Sequence, residues 1–237
     1  IATSAQLILR RLLEPTSLDE LFRDNAELQY ERKLLFSLVA QTMASVVIGQ
    51  RKSVHAAYKK MFEKIDVSHT AFYNKLQRIE PQTSRALVQH AYQQVVAIDR
   101  QIGLVSLNDL PGYTTRILDG NHLSKTEHRI KETRDLMAGP LPGKSLVVFD
   151  PRFDAVCDYF PIEDGHAQER SALDEVIETL EKKQLWIADR NFCTLKLMYA
   201  IIAAGGSFLI RRHAKLKGTE KGRDRADTAD QPPCRGW

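Results

Sequence analysis

The stretch QLWIADRNFCTLKLMYAIIAAG (184–205) decides the fold class. QLWIAD (184–189) is a short, mostly apolar run ending in an aspartate, which predicts a buried strand. CTLKLMYAIIAAG (193–205) is long enough and apolar enough for a core helix, closed by Gly205 and Gly206. GSFLIRRH (206–213) then predicts a further strand. Upstream, HAQERSALDEVIETLEKK (166–183) predicts a charged amphipathic helix. SLVVFD (145–150) and DAVCDYFPI (154–162) predict a hairpin turning at Pro151 and Arg152, MAGPLPGKS (137–145) a loop, and TTRILDGNHL (114–123) the first strand. From residue 114 onward the order is strand, strand, strand, helix, strand, helix, strand. That order predicts an α/β layer fold with a mixed sheet.

Residues 1–100 predict helices alone. Ser17 and Glu20 fit a capping box opening LDELFRDNA after Pro15. Residues 32–48 predict an apolar helix stopped at Gly49, and SVHAAYKKMFEK (53–64) a second. DVSHT (66–70) reads as a turn, AFYNKLQRI (71–79) as a helix ended by Pro81, and 83–100 as a last helix. The chain thus divides into a helical region (1–105), a mixed-sheet domain (106–217) and a tail (218–237). The tail contains no Leu, Ile, Val, Phe or Met, and it is expected to be disordered.

Of the 237 residues, 43% are hydrophobic and 27% charged, proportions that exclude wholesale disorder and fibrous repeats. The net charge of +4 is concentrated: residues 211–225 carry +5. Cys157, Cys193 and Cys234 form no C-x-x-C pair, which argues for a reducing compartment and against a zinc or disulfide framework. The longest apolar segment, 34–48, is too short to span a bilayer. The expectation is a cytoplasmic, nucleoid-associated protein with no membrane partner. The first residue is Ile1, so the chain is expected to be a fragment or to start on an unusual codon.

Asp119 follows Ile117–Leu118 in the first strand, and Asp189 ends the fourth. Strand ends are where open α/β sheets bind ligands. If those strands are neighbours, two carboxylates converge, a donor set suited to Mg²⁺ or Mn²⁺ and to two-metal phosphoryl transfer. An aspartate at a strand end also serves as a turn former or helix cap. Asp150, Asp154, Asp158 and Asp164 fall at hairpin or loop positions and are expected at turns or on the surface. Residues 54–80 fit a helix–turn–helix whose second helix offers Tyr73, Asn74, Lys75, Gln77 and Arg78 to phosphates and base edges. The same spacing fits an ordinary amphipathic helix. Arg211 and Arg212 leave a strand near the proposed site and suit DNA-backbone contact.

ILDGNHLSKTEHRI (117–130), PLPGKSLVVFDPRFDAVCDYFPIEDGHAQERS (140–171) and LWIADRNFCT (185–194) resemble bacterial insertion-sequence transposases of the DDE type, most closely the fourth insertion-sequence family. The resemblance covers roughly residues 110–215. It implies a ribonuclease-H-like fold and DNA transposition through metal-dependent cleavage and strand transfer. It also implies Asp119 and Asp189 as catalytic metal ligands, Mg²⁺ or Mn²⁺ as cofactor, and Arg190 among the DNA contacts. The partners it implies are double-stranded DNA at element ends and target, together with a homodimer or full-length transposase. Asn191 stands where the family motif Asp-Arg-Gly-Phe has glycine. The family's third catalytic residue, a glutamate in a Tyr–Arg–Glu–Lys signature, has no counterpart here. Glu220 is the only glutamate after Asp189, and it lacks that setting. The expectation is an incomplete catalytic domain with impaired activity, or alternatively a non-catalytic DNA-binding remnant or inhibitor of transposase.

Other motifs are weaker. LPGKS (141–145) lacks the first glycine of a P-loop and precedes a strand. His122, His128 and His166 are too scattered for a zinc site. Cys193 reads as a small buried residue.

Overall fold

The computed structural model describes residues 8–29, 33–103, 110–128, 141–162 and 167–213, with backbone alone for 122–128 and 141–143. After a helical stretch at residues 8–12 come α1 (Pro15–Asn25), α2 (Phe36–Val47), α3 (Val54–Ile65), α4 (His69–Gln77) and α5 (Pro81–Ile102). Then come β1 (Thr114–His128), β2 (Leu141–Asp150), β3 (Ala155–Ile162), α6 (Leu173–Glu178), β4 (Gln184–Ala188), α7 (Leu195–Ala203) and β5 (Ser207–Ile210).

Capping chemistry sets the helix ends. Ser53 and Ser68 accept the backbone N–H groups of Ala56 and Ala71 and so open α3 and α4. The α4 cap sets its start two residues earlier than the sequence reading. At α1 the cap is Glu14, not Ser17: its carboxylate accepts the Ser17 N–H at 2.7 Å, with Pro15 at the first helical position. Pro81 likewise opens α5. Asp19, buried in α1, receives both the N–H and the hydroxyl of Ser37, at 2.7 and 2.9 Å, which ties α1 to the first turn of α2. Leu34, Val39, Tyr58, Ile65 and Phe72 form the core of the α2–α4 region.

The sheet has the order β3-β2-β1-β4-β5, with β1, β2 and β3 antiparallel and β1, β4 and β5 parallel. This mixed sheet with flanking helices is compatible with a ribonuclease-H-like fold. Side chains alternate across it. Leu118, Leu146, Val148, Phe160, Trp186 and Ala188 project to one face and pack with Leu173 and Val176 of α6 and Leu197 and Ile201 of α7.

Three expectations are corrected. The helix expected over 166–183 shrinks to a 3-10 turn (Glu169–Ala172) and the six residues of α6. Thr179 N–H turns back to Val176 O and Lys183 sits at φ 61°, so the chain leaves the helix before its lysines. Residues 141–145 belong to β2 instead of a loop. Asp150 and Asp158 are buried and not on the surface, although Asp150 does accept the Arg152 N–H in the turn, at 2.9 Å. Asp150 accepts Tyr92 Oη at 2.6 Å and pairs with Arg116. Asp158 takes a two-pronged grip from Arg85, 2.8 Å at each oxygen. Asp154 does sit in the turn, at φ 50°; Asp164 lies outside the described residues.

Candidate metal centre

The parallel pairing of β1 with β4 runs Ile117 to Ile187 and then Leu118 to Ala188. Asp119 and Asp189 come one residue further on each strand. Asp189 keeps an extended backbone (φ −75°, ψ 177°), so the alternation continues through it. Both aspartates therefore leave the sheet on the face opposite buried Leu118 and Ala188, on neighbouring strands about 4.8 Å apart. Both side chains are exposed.

Each carboxylate is held by one backbone amide. Gly120 N–H donates to Asp119 Oδ1 at 2.9 Å, and Asn191 N–H donates to Asp189 Oδ1 at 2.8 Å. The second bond makes Asp189 the cap of the short 3-10 turn Arg190–Phe192, so the capping role weighed from the sequence is real here. Among the described residues no donor lies on either Oδ2, which leaves one oxygen of each exposed carboxylate without a protein donor. Two exposed carboxylates with free oxygens fit a hard divalent cation that keeps most of its water ligands. Among the described residues, no group of three or more His, Cys, Asp or Glu side chains gathers to hold a metal ion.

Basic groups border this edge. Arg190 directly follows Asp189 and is exposed. Arg211 donates its N–H to Ala188 O at 3.2 Å, which carries β5 one step beyond Ile210 and sets Arg211 beside Asp189. Arg211 and Arg212 are exposed. The remainder of the basic run, with Glu220 and Cys234, lies outside the described residues, as does His166.

The helix–turn–helix candidates divide. Asn74, Gln77 and Arg78 are exposed and border a groove of about 920 Å³ that Glu27, Leu28, Gln29, Lys33 and Leu34 also line. Tyr73 is half-buried, its ring 4.4 Å from that of His69. Lys75 turns inward: its ammonium is buried, 4.4 Å above the Phe22 ring. Lys144, from the rejected P-loop stretch, donates to Ala167 O at 2.9 Å. Cys193 is buried, as expected. Burial pushes the Cys157 thiol up to about 11, which disfavours its thiolate.

Glu169 was missed by the sequence reading. Its carboxylate lies against Gly120 so closely that a Cβ on that glycine would sit 2.4 Å from Glu169 Cδ. The same carboxylate accepts Asn191 Nδ2 at 2.8 Å. Glu169 thus touches the residue after Asp119 and the second residue after Asp189. Its place inside a charged stretch read as helix hid it; the glycine of the Asp119–Gly120 pair was the available signal.

No family model matches the chain, and no curated protein matches it. Among solved structures, the chain is similar to one in the simian T-cell lymphotropic virus intasome in complex with PP2A regulatory subunit B56 gamma. Identity is 13%, the TM-score 0.30, and the overlay covers 52% of this chain and 42% of that one. It is also similar to a chain of the piggyBac transposase synaptic complex with hairpin DNA. There the identity is 10%, the TM-score 0.41, and the coverage 90% and 51%. The chain therefore spans about half or less of the solved chains it resembles. Neither overlay is deep enough to carry a function.

Proposed function

We propose that this chain carries the metal-binding part of a DNA-cleaving transposase of the DDE type, of the insertion-sequence kind that its motifs resemble, working in the cytoplasm on double-stranded DNA. The observation that supports this reading most is the in-register pair Asp119 and Asp189, one step past Leu118 and Ala188 on adjacent parallel strands. Asp119 and Asp189 would hold Mg²⁺ or Mn²⁺, and an ion held there would supply Lewis-acid chemistry for phosphodiester cleavage. Gly120 and Asn191 fix the two carboxylates through their amides. Arg190, Arg211 and Arg212 neutralise the DNA phosphates drawn to this edge. Asn74 and Gln77 of α4, with Arg78 just beyond its end, contact the duplex elsewhere along its length.

Two carboxylates supply few protein ligands, so weak metal binding and slow cleavage are expected. The test is Mn²⁺ binding by paramagnetic resonance, alongside Mn²⁺-dependent nicking of supercoiled DNA. Asp119→Asn should abolish both while leaving the unfolding temperature unchanged, because a neutral amide is a poor hard-cation ligand. Salt-sensitive DNA binding with no Mn²⁺ uptake would instead make the chain a DNA-binding protein without catalysis.

A further inference from the structure

We infer that Glu169 is a positioning residue that locks the two aspartate-bearing segments to each other from the opposite face of the sheet; this rests on the metal-centre reading of Asp119 and Asp189. Gly120 shares a sheet face with Leu118, because residues two apart on a strand point the same way. The space its missing side chain leaves is filled by the Glu169 carboxylate: Cδ, Oε2 and Oε1 lie 2.4, 2.5 and 2.7 Å from where a Cβ would stand. Glu169 therefore sits behind β1 while Asp119 projects in front. From there it does not join the pair as a ligand.

Its second contact reaches the other segment. Asn191 Nδ2 donates to Glu169 Oε2 at 2.8 Å, and the adjacent Arg170 donates its Nε–H to Asn191 O. Side chain and carbonyl of Asn191 are thus both held by the turn Glu169–Ala172. The same Asn191 N–H fixes Asp189 Oδ1, and Gly120 N–H fixes Asp119 Oδ1. One carboxylate thereby rests on both residues whose amides orient the candidate ligands. Asparagine instead of glycine at 191 supplies the side-chain amide that makes the second contact, so the lock depends on that residue of this chain. Groups that orient metal ligands typically change metal affinity by about 10–100-fold when removed.

The experiment uses the full chain with Gly120→Ala, Glu169→Ala, their double variant, Glu169→Gln, Asn191→Ala, and Glu169→Ala combined with Asn191→Ala. Each is followed by thermal unfolding and by Mn²⁺ titration with the ion alone as probe. Gly120→Ala should lower the unfolding temperature by several degrees with Glu169 present, and by much less in the Glu169→Ala background, where the occupied space is vacated. Glu169→Ala and Asn191→Ala should each weaken Mn²⁺ binding about tenfold or more, and together no further. Glu169→Gln keeps a carbonyl oxygen for Asn191 Nδ2 and should restore most of the affinity. Additive unfolding shifts for Gly120→Ala and Glu169→Ala would overturn the lock. A Glu169→Gln variant as weak as Glu169→Ala would overturn it too, since the charge itself would then be what the ion needs. If the wild-type chain takes up no Mn²⁺, the metal-centre reading fails, and the unfolding cycle still decides whether Glu169 couples the segments.

Discussion

Asp189 carries two roles that one substitution can separate. Oδ1 caps the turn Arg190–Phe192 through the Asn191 amide at 2.8 Å, and Oδ2 has no protein donor among the described residues. Asparagine has an acceptor oxygen for the cap and no charge for a cation. Asp189→Asn should therefore leave the unfolding temperature within a degree or so and lose Mn²⁺ binding. Asp189→Ala should lose both, with the missing cap costing about 0.5–2 kcal/mol. Equal destabilisation by the two variants would mean that the cap geometry needs the full carboxylate. The pair of aspartates was legible because each follows an apolar strand signal, and apolar runs are what sequence reveals best. Asp150, Asp158 and Glu169 were not legible, because burial of a carboxylate depends on partners far away in the chain. Arg85 is 73 residues from Asp158, and Arg116 is 34 from Asp150.

The helical elements were found by spacing, and their ends were set by caps that spacing does not show. Glu80 illustrates this. Standing just before α5, it accepts the backbone N–H groups of Glu27, Leu28 and Gln29 at 2.9, 2.9 and 3.0 Å. Those amides, Glu27's foremost, hold its carboxyl below the usual glutamate range. A depressed folded-state value adds stability above the unfolded value, about pH 4.3, which is lost as pH falls through the folded value. Glu80→Gln should therefore cost about 1–2 kcal/mol at pH 7. Its deficit against wild type in urea unfolding should shrink below about pH 4. A deficit constant from pH 7 to pH 3 would assign the effect to shape alone. Gln77 of α4 and Arg78 just beyond its end are exposed while Lys75 is buried over Phe22. Arg78→Ala should weaken duplex DNA binding and reduce its salt slope by about one. Lys75→Ala should act on stability, with the salt slope unchanged. The opposite pattern would remove α4 from the DNA contacts.

At the scale of the whole molecule, α5 joins the helical half to the sheet. The succession of strands along the chain was readable because each strand carried its own apolar run; which strands are neighbours in the sheet was left open until the pairing of β1 with β4. The joint was not readable, because its groups are polar and lie in a helix read only from its apolar spacing and in stretches read as turns. Arg85 grips Asp158 with two 2.8 Å bonds and lies over the Phe160 ring at 4.1 Å, and Gln89 adds a third bond to Asp158. Two turns beyond Arg85, Tyr92 donates to Asp150, which also pairs with Arg116 of β1. Burial first, and then the Asp150 bond, push the Tyr92 hydroxyl upward, so it stays a donor across the usable pH range. Asp150 is 2% exposed and Arg116 14% at the side chain. Removing one member of so buried a pair strands the other. Asp150→Ala should cost about 3–5 kcal/mol, a fall of roughly 6–20 °C in unfolding temperature for a chain of this size. Replacing both Asp150 and Arg116 with leucine should cost less than Asp150→Ala alone. The joint also predicts how the molecule comes apart. Trp186 is buried in the sheet core, so in a Trp237→Phe background its fluorescence reports the sheet, while far-ultraviolet circular dichroism reports mainly the helices. With α5 clamped, the two signals should share one urea midpoint. In Asp158→Ala combined with Tyr92→Phe they should separate, because the clamp is lost while each half keeps its own apolar cluster. Coincident midpoints in that variant would mean that the apolar contacts of α5 with β3 suffice to couple the halves.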